Sequence, residues 1–269
     1  MSHLLVKPSA PDNSGKIIEV TPESAEWTYV GFDVHKLLKG QTISEQTTDR
    51  EVCLVFVSGK GKVSVDGQDF GSLGERMSPF EGDPWSVYIP GGCKWSLTTE
   101  TDVELAVCSA PVTSTSDERL EPRVISPGKA SRETRGEGTN IRHVANILPE
   151  TEPADSLLVV EVITPGGHWS SYPPHKHDQD ALPNESLLEE TYYHRLNPSQ
   201  GFAFQRVYTD DRSLDETFAV EDRNVVLVPE GYHPCGAPHG YDLYYLNVMA
   251  GPKRIWKFHN DPDHEWMLK

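Results

Sequence analysis

Apolar and polar positions alternate along this chain in short runs, and apolar residues almost nowhere recur at the three-to-four spacing of a helix. Runs at 27–32, 51–57, 62–65, 85–89 and 103–107 are rich in Val, Ile, Leu and aromatic residues and are punctuated by turn residues. That is the pattern of β-strands separated by tight turns. Asp66-Gly67, directly after the run ending at Val65, predicts a hairpin, because both residues can take positive φ. From Pro111 to Gly138 the alternation lapses into Ser, Thr, Pro, Gly and mixed charge, as in Ser114-Thr115-Ser116 and Arg132-Glu133-Thr134-Arg135. This stretch reads as a crossover between domains. Strand text resumes at 156–162, an apolar and β-branched run short enough for a buried strand.

The second half repeats the first. Thirty-nine positions separate Glu51 from Pro90, and thirty-nine separate Glu190 from Pro229. Each glutamate opens a strand-like run and each proline closes an apolar one, Val87-Tyr88-Ile89 in the first half and Val225-Val226-Leu227-Val228 in the second. The strands that follow end alike, at Cys108-Ser109-Ala110-Pro111 and Met249-Ala250-Gly251-Pro252. Two copies of one all-β domain, each a sandwich or barrel, account for this repeat. The copies differ where chemistry would sit. Four residues past its proline the second has His233 and the first has Lys94, and no histidine lies in 43–49 ahead of Glu51. The expected organisation is a first barrel over residues 1–112 without a metal site, a crossover at 113–145, and a metal-binding barrel over 146–269.

A chain of 269 residues has ample core for two such domains without disulfides. Acidic residues outnumber basic ones, 41 to 24, and the net charge of −17 argues against nucleic acid or an anionic membrane surface as partner. A local Arg or Lys cluster could still hold a small anion. Cys53, Cys93, Cys108 and Cys235 show no Cys-x-x-Cys spacing, so reduced thiols are expected, not a disulfide framework or a zinc module. No segment approaches the roughly 18 apolar residues that cross a bilayer, and the first ten residues hold no sustained apolar region. A cytoplasmic protein is expected.

Against that background one stretch carries chemistry, Pro173-Pro174-His175-Lys176-His177-Asp178. On a strand, residues i and i+2 share a face, so His175 and His177 can offer two imidazoles to one ion while Lys176 points away. A carboxylate such as Glu190 and a third imidazole such as His233 would complete a mixed nitrogen and oxygen sphere with room for exchangeable ligands, which is a catalytic pattern. An isolated His-x-His is weak evidence; the Glu and the further His at the heads of later strand-like segments strengthen it.

These residues resemble the two blocks of cupins, small antiparallel jelly-roll barrels (double-stranded β-helices) that hold a divalent metal with three His and one Glu. The longer text, including Arg135-Gly136-Glu137-Gly138-Thr139, Leu188-Glu189-Glu190-Thr191-Tyr192-Tyr193, Gly231-Tyr232-His233-Pro234 and Tyr244-Tyr245-Leu246-Asn247, is similar to the 5-deoxy-glucuronate isomerases, the bicupins of inositol catabolism. The resemblance implies two tandem cupin barrels, one divalent ion (Zn, Mn or Fe) on His175, His177, Glu190 and His233, a sugar-acid substrate and a homo-oligomer. It also implies aldose–ketose isomerisation of 5-deoxy-D-glucuronate through an enediol(ate). In the general cupin pattern the glutamate follows the second His within about half a dozen residues, whereas here Glu190 is thirteen beyond His177. Glu185 and Glu189 are rivals to Glu190, and His239 to His233; the repeat with Glu51 favours Glu190. His194, Tyr192 and Lys176 are candidate proton carriers, with His194 equally readable as a hydrogen-bonded barrel histidine. Arg206, ahead of Arg195, is the candidate anchor for the substrate carboxylate. The alternatives are an Fe(II) cupin dioxygenase, an isomerase of a related uronate, and a sugar-binding cupin without turnover.

Overall fold

The structure is a computed structural model that describes residues 2–113 and 120–268; Ser114, Thr115 and Ser116 of the expected crossover lie outside the described residues. The strands of the first half are β1 (Leu5–Val6), β2 (Lys16–Val20), β3 (Gly31–Leu37), β4 (Thr42–Gln46), β5 (Arg50–Ser58), β6 (Gly61–Val65), β7 (Gln68–Leu73), β8 (Ser86–Ile89), β9 (Lys94–Thr99) and β10 (Val103–Pro111). Then come β11 (Arg123–Ile125), β12 (Ser131–Arg135), β13 (Arg142–Leu148), β14 (Leu158–Thr164), β15 (Trp169–Ser170), β16 (His175–Lys176), β17 (Asp178–Ala181) and β18 (Glu185–Leu187). The last are β19 (Glu189–Asn197), β20 (Phe202–Tyr208), β21 (Asp215–Glu221), β22 (Val225–Val228), β23 (Cys235–Gly236), β24 (Asp242–Ala250) and β25 (His259–Asn260). Helical turns among the described residues are confined to Pro22–Ala25, Gly138–Asn140 and Glu265–Leu268, as the alternating pattern requires.

Two compact units interleave along the chain. One comprises Pro8–Ser131 with Ile147–Val159, and the other Met1–Lys7, Arg132–Asn146 and Val160–Lys269. The contiguous reading placed divisions at 112 and 146. In addition, the stretch read as a crossover carries β11, β12 and the start of β13, so parts of it belong to the sheets.

The same topology appears in both units. The larger sheet of the first runs β11-β8-β5-β10-β3-β2 and that of the second β1-β22-β19-β24-β14-β13-β12; the smaller sheets run β4-β9-β6-β7 and β15-β23-β20-β21. The outer neighbour of β8 comes from the expected crossover, and that of β22 from the chain's N-terminus. The Asp66-Gly67 hairpin joins β6 to β7 with both residues at positive φ, 49° and 82°.

The interior of the first unit is apolar. Val52, Leu54 and Phe56 from β5 cluster with Val87 and Ile89 from β8, and with Val63, Val65, Trp95 and Leu97 from the smaller sheet. Burying a side chain of this kind contributes roughly 1.5–3 kcal/mol, so this unit draws its stability from an ordinary packed core. Lys94 is exposed, while Cys93 and Trp95 beside it face inward.

Strand register corrects the repeat as counted from sequence. Val52 pairs with Ile89 and Ser109, whereas Glu190 pairs with Val228 and Met249. Ile89 and Val228 each precede the proline, so the counterpart of Glu190 is Val52, and Glu51 corresponds to Glu189. The equal spacing of thirty-nine conceals a one-residue difference, and one residue inverts the face of a strand. Glu51 accordingly points away from the apolar interior. Its carboxylate accepts the backbone N–H groups of Asp155 (2.8 Å), Ser156 (2.6 Å) and Leu157 (2.6 Å) and the Tyr88 hydroxyl (2.7 Å).

Glu51→Ala would leave those four donors without their acceptor, two of them on buried backbone, and is expected to destabilise the protein by about 3 kcal/mol or more. Urea denaturation measures this. A loss below about 1 kcal/mol would mean that segment 155–157 finds other acceptors.

Candidate metal centre

The cluster is built from strands whose alternation aims its side chains at one point. His175 lies on β16, which pairs with β25 through His175–Asn260 and Lys176–His259. His177 follows two residues later, and its carbonyl accepts the Leu188 N–H at 2.9 Å. Glu190 sits on β19 between β22 and β24, an interior strand of the seven-stranded sheet. His233 follows the turn at Gly231, whose φ is +87° and where a Cβ would lie 2.5 Å from the Tyr208 carbonyl oxygen. Only glycine fits that close approach.

His177 Nε2 lies 3.0 Å and His233 Nε2 3.2 Å from Glu190 Oε2. One ligand atom from each of these three residues falls within 4.8 Å of the others. The His175 ring stands edge-on to that of His233 with centroids 4.9 Å apart, and 6.3 Å from that of His177. The tautomers follow from the partners. His177 Nδ1 is 3.0 Å from the Leu188 carbonyl oxygen and His233 Nδ1 is 2.9 Å from that of Gly231. A carbonyl only accepts, so each Nδ1 carries the proton and donates it. When the rings are neutral, each Nε2 then turns a lone pair towards an acceptor-only carboxylate. His233 Nε2 is buried and faces the Glu190 carboxylate. That arrangement calls for a cation between the groups, either a proton or a metal, and the donor set fits a divalent ion of the Zn, Mn or Fe kind.

The electrostatics agree. Burial would raise the Glu190 carboxyl, but hydrogen bonds from His177 and His233 outweigh it and hold the group below the ordinary carboxylate range. Burial would lower His177, yet its bond to Glu190 prevails and raises it. His175 has no such carboxylate, and burial, then His233 and His177, push it well below its usual value. Burial, reinforced by Glu190, pushes the Tyr192 phenol well up.

A narrow cavity beside the cluster is lined by His175, Tyr192, Tyr245, Arg135, Arg142 and Trp256. Tyr192 Oη is 2.8 Å from Ser171 Oγ, and Tyr245 Oη 2.5 Å from Ser170 Oγ. Arg142 Nη1 donates to the carbonyls of Asn140 (3.1 Å) and Tyr172 (3.3 Å); among the described residues no carboxylate pairs with it. Burial lowers its pKa from the usual guanidinium value. A half-buried guanidinium that bonds only backbone carbonyls, with Glu133 acting on it at a distance and not paired to it, is a place for an anion. A larger open groove of about 250 Å³, lined by Arg132, Glu133, His143 and Glu161, contains none of the cluster residues.

Of the residues expected from sequence, His175, His177, Glu190, His233 and Tyr192 are brought together. Others are not. Lys176 is turned away into acidic residues, with Nζ 2.6 Å from Asp178, 3.3 Å from Glu185 and 3.5 Å from Asp210. Burial opposes its charge, but those carboxylates outweigh it and raise its pKa. Arg206 forms a two-pronged pair with Asp215 (2.7 and 2.6 Å) on an exposed face, because its neighbour Gln205 is the buried one. Arg195 bonds Asp222 at 2.8 Å. His194 is a buried barrel histidine whose Nε2 is 2.8 Å from Gln205 Oε1, and burial, only partly offset by Gln205, takes it down to about 4. Glu185 accepts from the Asp178 N–H, Glu189 faces the other side of β19, and His239 is exposed.

Arg135 and Arg142 were missed, since they lie in the charged stretch read as a crossover. The available signal was Gly136, whose φ is +83° and where a Cβ would lie 2.1 Å from the Asn140 oxygen and 2.8 Å from Arg142 Nη1.

A family profile described as the KduI/IolB family matches residues 4–267. The chain belongs to that family. It is 56% identical over 270 residues to the 5-deoxy-glucuronate isomerase of Geobacillus kaustophilus, covering 100% of this chain and 96% of that protein. Among solved structures, this family member is similar to an IolB-like protein from Salmonella typhimurium LT2, with a TM-score of 0.94, 51% identity and 99% of each chain covered. A Bacillus subtilis oxalate decarboxylase variant matches at TM-score 0.66 and 14% identity, over 97% of this chain and 80% of that one. That likeness is one of fold, and the all-β bicupin architecture agrees with it.

The shifts on His177 and Glu190 fix the sign of a pH effect. In metal-free protein His177 is raised, so its pairing stabilises fully below about pH 6.5 and is lost as pH climbs through the raised value. Glu190 is depressed, so its contribution holds above the ordinary carboxylate range and is lost as pH falls through the lowered value. A divalent ion must displace the proton on His177. Affinity should therefore rise up to about tenfold per pH unit until that group has titrated, as chelator competition between about pH 5.5 and 8.5 would read. A flat profile would mean that no proton leaves on binding.

Proposed function

We propose that this chain is a metal-dependent aldose–ketose isomerase that converts 5-deoxy-D-glucuronate to 5-dehydro-2-deoxy-D-gluconate. The ion is held by His175, His177, Glu190 and His233 in the second barrel, and the first barrel lacks that ligand set. The observation that carries this reading is the His177–Glu190–His233 cluster with the His175 ring against it, His175 in turn lining a cavity shared with Arg142, a place for a cation beside a place for an acid. The printed name of the 56% identical relative supports the same substrate.

A divalent ion bound there would polarise the C1 carbonyl and the C2 hydroxyl together, raising the acidity at C2. Arg142 binds the substrate carboxylate, and Arg135, whose guanidinium lies 5.3 Å from the Trp256 ring centre, closes the same end of the cavity. Tyr192, kept neutral, would donate a hydrogen bond to the substrate oxygens and stabilise the negative charge that O1 and O2 carry in the enediol(ate). Ser171 holds that phenol in place. Val160 and Val162 line the cavity and exclude water from the enediol(ate).

Two coarser expectations accompany this reading. All four cysteines are free and buried, which supports a reducing, cytoplasmic setting. No helix among the described residues is long and apolar enough to cross a membrane. Exposed Trp169, Phe202 and Phe204 support self-association into a homo-oligomer.

Proton NMR of 5-deoxy-D-glucuronate in deuterated water tests the reaction. The ketose should form with the metal-loaded protein, disappear after chelation and return with a divalent ion. Tyr192→Phe should lower kcat about 10²- to 10³-fold and keep the metal, while Arg142→Ala should raise KM on the order of 10- to 100-fold. Parent-like turnover in Tyr192→Phe would place the stabilisation of that charge elsewhere.

A further inference from the structure

The three imidazoles are held in different ways. His177 and His233 are locked by Nδ1–H bonds to backbone carbonyls. Among the described residues the His175 ring makes no hydrogen bond; its neighbours are ring contacts, edge-on with His233 and a tilted stack on Phe258 with centroids 4.7 Å apart and planes at 36°. Phe258 arrives from the C-terminal segment, eighty-three positions away in sequence.

That segment is fastened on both sides of Phe258. Before it, the Lys257 carbonyl accepts the Ser186 N–H at 2.9 Å, and the Lys257 N–H donates to Ser186 Oγ at 3.0 Å. After it, β25 pairs with the strand carrying His175, Asp261 N–H donates to the Pro174 carbonyl at 2.9 Å, and Tyr208 Oη donates to Asp261 Oδ2 at 2.7 Å. Phe258 nevertheless remains 39% exposed. An aromatic residue fastened on both sides, part in solvent and tilted against one imidazole has a purpose that burial alone does not explain.

We propose that Phe258 is a positioning residue for His175: its ring replaces the carbonyl bond that fixes the other two imidazoles, so the C-terminal segment sets the geometry of one metal ligand. This rests on the reading of His175 as a ligand. Partners that orient ligands typically change metal affinity about 10- to 100-fold when removed. An aromatic stack restrains rotation of the imidazole less sharply than a directional hydrogen bond does, so the effect belongs at the lower end of that range.

The test uses full-length protein loaded with Co(II), reading its visible spectrum and its affinity by chelator competition. Phe258→Leu keeps the apolar bulk and removes the aromatic face; amide exchange at Asn260 and Asp261 reports whether the segment stays docked. With docking intact, Phe258→Leu should bind Co(II) about tenfold more weakly, with a spectrum shifted towards that of His175→Ala, and Phe258→Tyr should restore both. Parent-like affinity and spectrum in Phe258→Leu would overturn the proposal and leave the ligand reading intact. Parent-like behaviour in His175→Ala would instead remove His175 from the ligand set. Should Phe258→Ala undock the segment, the Leu and Tyr variants decide.

Discussion

A carboxylate buried between two imidazoles governs this molecule. Glu190 accepts nothing from backbone in the described contacts and faces His177 and His233 at 3.0 and 3.2 Å. Burying a carboxylate without compensation is prohibitively unfavourable, and both imidazoles spend their Nδ1 protons on carbonyls that face away from it. The site is therefore electrostatically incomplete without a cation. The strands β22 and β24 on either side of Glu190, the Gly231 turn and the Leu188 carbonyl keep those lone pairs converging instead of letting them rotate apart.

Such a site is incompatible with an ordinary core, and the two units divide the tasks. Both use one strand order, yet Val52 occupies the place of Glu190, and apolar residues fill the first interior. Polar groups line the corresponding region of the second: Glu190, His194, Gln205 and His233 are all nearly inaccessible. Each of those groups gives up apolar packing and must find a hydrogen-bond partner or an ion. The apolar interior of the first unit carries no such demand.

The strands were legible because a period of two survives in nearly every element, and the His-x-His pair was legible because the same period puts two imidazoles on one face. What sequence could not supply was absolute parity. Arg206 and Gln205 are adjacent on β20, and only the closed sheet shows that Gln205 points inward. Glu190 was favoured by a count that pairs it with Glu51, whereas the register pairs it with Val52; what favours Glu190 is its place 3.0 and 3.2 Å from His177 and His233. Arg135 and Arg142 escaped because a charged stretch without alternation reads as a linker, although both belong to sheet strands.

The ligands and their supports come from parts of the chain that no contiguous piece contains. His175 depends on β25 near the C-terminus, β22 takes its outer neighbour from residues 5–6, and Arg142 precedes the boundary at 146. A fragment spanning 146–269 would keep all four proposed ligands and lose β1, β12 and both cavity arginines. Ligand spacing alone therefore understates what the site needs. The imidazoles can be listed from one half of the sequence, but their orientation and the anion-binding end of the cavity are properties of the interleaved unit. Metal binding and completion of that unit are consequently coupled.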